Sequence, residues 1–175
     1  MLMARVKAEP MLKKMLKSGL LWLPITLIVF VLDQWTKVIA TQTLKIHDAI
    51  EVNTYLNWTL MHNEGMAFSF LADQSGWQRW GISIMALAIV IWLLIWLYNN
   101  KCEMKMVNLG LVLIIGGAVG NTYDRLTLGY VIDFIEAHYA EHYWPAFNVA
   151  DSAISLGAFL LILDLFFSKK KDDEN

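Results

Sequence analysis

The chain has 175 residues, 57% of them hydrophobic and only 17% charged, and carries a net charge of −2. A soluble domain has about 25% charged residues, so the composition points to a membrane, and the absence of a basic stripe interleaved with aromatics gives no sign of nucleic-acid binding. The single cysteine, Cys102, excludes an intrachain disulfide and a multi-cysteine metal site, and the length argues against a second domain.

In chain order, Arg5, Lys7, Lys13, Lys14 and Lys17 come first. The first of four predicted membrane-spanning helices follows, at about 20–40, with the others at about 77–98, 107–123 and 148–168. Each has the roughly 20 residues that a helix needs to cross a hydrocarbon core of about 30 Å. Basic residues ahead of an apolar run also describe a cleaved leader, but no A-x-A site follows and the polar "DQWTK" (33–37) continues the same helix. Within residues 41–75, Leu56, Trp58 and Leu60 alternate with Asn57, Thr59 and Met61. That period of two predicts a half-buried strand, with "NEGM" (63–66) as a turn. Lys101 and Lys105 separate the second span from the third, whose Gly116 and Gly120 have the G-x-x-x-G spacing of a close helix contact. Residues 126–147 form a second loop rich in Tyr, His and Glu. Its "HYAEH" matches the H-x-x-E-H pattern of some zinc peptidases, although three fixed positions in a loop read better as interfacial His and Tyr. Lys169, Lys170 and Lys171 follow the fourth span.

Lys and Arg therefore concentrate before the first span, between the second and third, and after the fourth, which predicts that both termini are cytoplasmic. The expected architecture is an all-α integral membrane protein, residues 1–175 forming one membrane domain, with exterior loops at about 41–75 and 126–147. On this topology the polar residues gather at the exterior end: Asp33 and Lys37 from span one, Asn63 from the first loop, Asn121, Asp124 and Arg125 at the end of span three, Asp133 in the second loop, and Asn148 and Asp151 at the mouth of span four. Each has a local explanation. Asp33 and Lys37 can pair at i,i+4, Asp124 and Arg125 can end a helix as cap and ion pair, and Asn148 can be an N-cap. The helix dipole favours Asp151 by about 0.3–1 kcal/mol, which offsets only part of an insertion cost on the order of 2.5–3.5 kcal/mol.

Taken together, these residues suggest chemistry. Two carboxylates close together in a partly dry site do not both ionise readily, so one keeps a proton. The ionised partner can take a proton from water while the other donates to a carbonyl oxygen. Asp133 and Asp151 are candidates, because a short loop can fold Asp133 back over span four; spacing leaves Asp124 open as a third. A proton-coupled transporter would also use intramembrane Asp and Arg, but would need a polar relay continuing toward the cytoplasm. A small membrane scaffold would tolerate Asn at either aspartate.

Five stretches, "DQWTK" (33–37), "NEGMAFSF" (63–70), "GNTYDR" (120–125), "VIDFI" (131–135) and "FNVAD" (147–151), stand in an order that resembles the bacterial lipoprotein signal peptidases, signal peptidase II. The resemblance implies an aspartic endopeptidase of the inner membrane with its active site near the periplasmic face. It would cut prolipoproteins on the N-terminal side of a diacylglyceryl-modified cysteine, with those substrates and membrane lipids as partners and no metal or organic cofactor. Carried over by motif, Asp133 and Asp151 are the catalytic pair and Asp124 supports them. Asn63 and Arg125 bind substrate backbone, with Gly65 in the matching turn. Asn121 and Asn148 shape the site, and Asp33 and Lys37 support it from span one. The resemblance also implies a small strand cradle and a short surface helix within residues 41–75. One chain carrying the whole constellation points to a monomer.

Overall fold

The computed structural model describes residues 11–65 and 77–172. Four helical segments are long and apolar enough to cross a membrane: Gly19–Thr43, Trp77–Asn99, Lys105–Thr127 and Val149–Phe167. The first consists of a 3-10 turn (Gly19–Trp22), capped by the Ser18 hydroxyl, running into α2 (Leu23–Thr43). Pro24 sits in the first turn of α2, where its missing N–H has no helical partner to lose. A short α1 (Met11–Met15) precedes these, and α3 (Trp77–Asn99), α4 (Lys105–Thr127) and α5 (Val149–Asp172) follow. The helices overrun the predicted spans at several ends, because hydropathy marks only the apolar part of a helix.

Helix α4 is the centre of the bundle. In its most apolar window 61% of residues are buried, against 17–22% in the other three spans. Those three turn large apolar residues outward, among them Leu27 and Val31 of α2, Ile84 and Trp92 of α3, and Phe159 and Leu165 of α5. Glycines let neighbouring backbones approach α4. A Cβ on Gly116 would meet Val29 of α2 at 2.8 Å, and one on Gly120 would meet Asp33 Oδ2 at 2.6 Å. The predicted G-x-x-x-G pair therefore faces α2. The contact with α5 uses Gly117 against the Ala150 carbonyl, and Gly110 against Gly157.

One end of the bundle carries a four-stranded antiparallel sheet of order β1-β2-β3-β4, formed by Ala49–Asn53, Leu56–Asn63, Val131–Tyr139 and His142–Tyr143. The sheet is thus larger than a cradle confined to residues 41–75, because half of it comes from the segment expected to be loop. The short surface helix expected in 41–75 is not among residues 44–65, which are strand and turn, and the remainder, 66–76, lies outside the described residues. Ala40 and Leu44 of the α2 end pack with Leu60, Ile132 and Phe134 and seat the sheet on the bundle.

Two pairings bring the sheet to α5. Strand β2 aligns Met61 opposite Asp133 and Asn63 opposite Val131. On the other edge of β3, Ile135 and Phe147 exchange backbone hydrogen bonds of 2.9 Å in both directions. The chain therefore leaves β3's edge at Phe147 and enters α5 within two residues, beside Asp133.

Candidate active site

The start of α5 is built as a reciprocal cap. Asn148 Oδ1 accepts the Asp151 N–H at 2.9 Å, and Asp151 Oδ2 accepts the Asn148 N–H at 3.2 Å. This arrangement satisfies two backbone donors and fixes the Asp151 side chain. A third donor of that first turn, the Ala150 N–H, reaches Asp33 Oδ1 of α2 at 2.9 Å. The remaining oxygen, Asp151 Oδ1, accepts from Asn121 Nδ2 at 2.7 Å. Asp151 thus sits in the first turn with the positive end of the helix dipole beside it.

Asp133 occupies β3 and is 2% exposed. Its Oδ1 accepts from Asn148 Nδ2 at 2.7 Å and its Oδ2 from Asn63 Nδ2 at 3.0 Å. Burial pushes the Asp133 carboxyl up to about 6; the negative charge of Asp151 adds to the rise, while the amides of Asn63 and Asn148 and the charge of Lys37 oppose it. Asn148 is therefore shared: its backbone N–H serves one aspartate and its side-chain amide the other.

Beneath the pair, Lys37 donates to Asp33 Oδ2 at 2.8 Å and to Asn121 Oδ1 at 3.0 Å, and forms an ion pair with Asp124 Oδ2 at 2.8 Å. The expected i,i+4 pair is present. Asp124, however, pairs with Lys37 across the helix interface and not with the adjacent Arg125. Its Oδ2 also accepts the Ile132 N–H at 3.3 Å. Gln34 completes this layer, with Nε2 at 2.9 Å from Asp124 Oδ1 and 3.1 Å from Asp33 Oδ2. Gln34 is not among the residues expected from sequence, although an amide inside an apolar span is itself a signal, since burying it without a partner is costly.

The orientation of each asparagine follows from a neighbour of unambiguous polarity. Lys37 has donors only, so Asn121 must turn its oxygen to Lys37 and its NH₂ to Asp151. The Asp151 N–H fixes the oxygen of Asn148 in the same way, leaving its NH₂ for Asp133. The Gly65 N–H, 2.9 Å from Asn63 Oδ1, does so for Asn63. Gly65 itself has φ +92, a left-handed conformation that suits glycine.

Arg125 lies at the end of α4. Its Nη1 is 3.5 Å from the Asn121 carbonyl, and its buried Nε has no hydrogen-bond partner among the described residues. All ten residues singled out from the sequence thus belong to one connected region, Gly65 through Asn63 and Arg125 through Asn121. The "HYAEH" stretch lies elsewhere: His138 stacks on Tyr143 within the sheet, and His142 and Glu141 are exposed.

The chain is similar to known proteins over most of its length. The family model described as signal peptidase (SPase) II matches residues 25–167. The lipoprotein signal peptidase of Acinetobacter baumannii is 48% identical over 157 residues, covering 90% of this chain and 89% of that protein. That of Pseudoalteromonas atlantica is 48% identical over 168 residues, covering 94% and 99%. Among solved structures, a bacterial membrane enzyme determined by the in meso method at 2.3 Å resolution superposes with a TM-score of 0.77 at 31% identity, covering 91% of this chain and 96% of that one.

Proposed function

This chain belongs to the signal peptidase II family, lipoprotein-processing proteases of bacterial membranes, and from that premise we propose that it is an aspartic endopeptidase in which Asp133 and Asp151 hydrolyse the peptide bond. The substrate is a prolipoprotein, cut on the N-terminal side of a diacylglyceryl-modified cysteine. The enzyme acts as a single membrane domain and as a monomer in the inner membrane, among lipids, with both termini cytoplasmic and the site at the periplasmic face.

One observation carries this reading. Asn148 donates its backbone N–H to Asp151 and its side-chain amide to Asp133, so both carboxyl groups are bound to a single residue in a largely dry site. On this reading one proton is shared between the two carboxyl groups. The ionised carboxylate takes a proton from water, and the resulting hydroxide adds to the scissile carbonyl carbon. The protonated carboxyl gives its proton to the carbonyl oxygen. Collapse of the tetrahedral intermediate passes a proton to the leaving amine and returns the pair to its starting state. Arg125, whose buried Nε has no partner among the described residues, suits a substrate carbonyl. Asn63 has its amide on Asp133 and Gly65, so we assign it to orienting Asp133.

The test is cleavage of a diacylglyceryl-modified prolipoprotein by purified wild type, Asp133→Asn, Asp151→Asn and Asp124→Asn. The first two should lose turnover by at least about 10³-fold while still binding substrate. Asp124→Asn should lower the thermal midpoint yet keep measurable turnover. Persistent cleavage by Asp133→Asn with a silent Asp124→Asn would show that a different pair reacts.

A further inference from the structure

Lys37 is 1% exposed, and its ammonium is a single point bearing three N–H donors and no acceptor. It reaches Asp33, Asp124 and Asn121. Besides their contacts with Gln34 and Asn148, each of these three also holds one of the two aspartates or the residue before it. Asp33 Oδ1 holds the Ala150 N–H, one residue ahead of Asp151. Asn121 Nδ2 holds the Asp151 carboxylate itself. Asp124 Oδ2 holds the Ile132 N–H, one residue ahead of Asp133. One ammonium is thus two hydrogen bonds from the Asp151 side chain and two from the backbone N–H of Ile132, the residue before Asp133, although the two aspartates come from a helix and a strand.

Pairing along α2 needs only one carboxylate, and Asp33 supplies it at i,i+4. The additional carboxyl group of Asp124 leaves two acids sharing one buried ammonium, an arrangement that stability alone does not favour. Resting on the reading of Asp133 and Asp151 as the reacting pair, we propose that Lys37 is the positioning residue that sets their separation, through Asp33 and Asn121 toward Asp151 and through Asp124 toward Asp133. The point geometry of the ammonium matters as well as its charge, since three acceptors converge on one atom. Lys37 touches no substrate in this role.

The experiment compares wild type, Lys37→Gln, the charge-balanced double variant Lys37→Gln/Asp124→Asn, and Asp151→Asn. Each is purified in detergent and assayed on a diacylglyceryl-modified prolipoprotein, with kcat, KM and the thermal midpoint measured separately. Lys37→Gln should lower the thermal midpoint, and the double variant should restore part of it by removing one of the two acids left without the ammonium. Both should keep KM within about threefold and lose kcat on the order of 10²-fold, the effect of misplacing reacting groups by about 1 Å. Recovery of kcat in the double variant to within about threefold of wild type would reduce Lys37 to a charge partner and overturn the inference. A loss carried by KM, or a double variant that does not fold, overturns it too, making Lys37 a residue of binding or of folding. Asp151→Asn keeps the two readings apart. If it cuts like wild type, the aspartate mechanism itself fails; if it is silent while the double variant recovers, only the role of Lys37 fails.

Discussion

At Asp133, burial and hydrogen bonding act in opposite directions. Burial raises the carboxyl from 3.8 to about 6, with Asp151 adding to the rise, while the amides of Asn63 and Asn148 stabilise the charged form. A difference of that size corresponds to on the order of 3 kcal/mol between the two protonation states. The sign follows from linkage: the folded state keeps this proton where the unfolded chain has released it. The contribution to stability is therefore fully present below pH about 4 and is lost as pH rises through about 6. On the proposed mechanism the pair needs its proton, so the alkaline limb of kcat/KM against pH should fall through about 6. Asn63→Ala removes a donor to the ionised form, so it should move that limb to higher pH. A limb that stays in place or moves to lower pH in this variant would separate the shared proton from Asp133. The residues of this site were legible because charge inside an apolar span is rare and cannot be explained one residue at a time. Gln34 was not, because an uncharged amide next to Asp33 reads as part of an interfacial helix end until its two carboxylate partners, one of them 90 positions away, are seen.

At the scale of elements, the position of Asp151 depends on how closely α5 can approach α4. Gly117 lies against the Ala150 carbonyl, and a Cβ there would also meet Ile154 at 2.8 Å. The Ala150 backbone cannot yield freely, since its N–H is held by Asp33. Gly117→Ala should therefore lower the thermal midpoint, consistent with the roughly 1–3 kcal/mol cost of overpacking, and reduce turnover further by displacing the first turn of α5. Gly81→Ala in α3 is the matched control, because among the described residues its new Cβ would find only the Trp77 ring, at 3.6 Å. It should leave turnover intact and hold or raise the thermal midpoint, as Gly→Ala in a helix adds about 0.5–1 kcal/mol. Equal behaviour of the two variants would argue against close α4–α5 contact. The four spans could be read from the sequence because hydropathy is a local property, and the Asn148 cap because its signal is a short spacing. Strand β3 could not: Val131–Phe134 are all buried, so no alternation marks them, and their partner strand lies about 70 residues earlier. The helix contact through Gly110, Gly117 and Gly157 was equally hidden, since it depends on which neighbour α4 meets on each face.

Over the whole molecule, the sheet and the bundle share an inverted surface. In β2 the predicted alternation holds from Leu56 to Thr59, with Asn57 and Thr59 buried and Leu56 and Trp58 facing outward, and breaks at Leu60, which is buried where the register shifts. Tyr139 and Tyr143 of the same sheet, Tyr55 in its β1–β2 turn and Trp144 just after β4 are exposed, as are Trp77 and Trp80 at the start of α3, in the manner of an interfacial aromatic belt. At the other end of the bundle, Asn108 donates to the Lys101 carbonyl, Asn100 donates to Asn108, and Gly19 donates to the Asn100 carbonyl. This polar clasp holds the N-terminal segment, with Lys14 and Lys17, against the α3–α4 turn, with Lys101 and Lys105. The basic residues of two separate segments thus meet at the end opposite the aspartates, which is the end the proposed orientation puts in the cytoplasm. Helix α3, 23 residues long, separates the two ends by about 35 Å. Cys102 lies in that turn and is the only cysteine of the chain, so it reports orientation without any engineered probe. A membrane-impermeant thiol reagent should label it in inside-out vesicles and leave it untouched in intact spheroplasts. Labelling in spheroplasts alone would turn the molecule over and place the aspartates at the cytoplasmic face, where a periplasmic cleavage reaction could not use them.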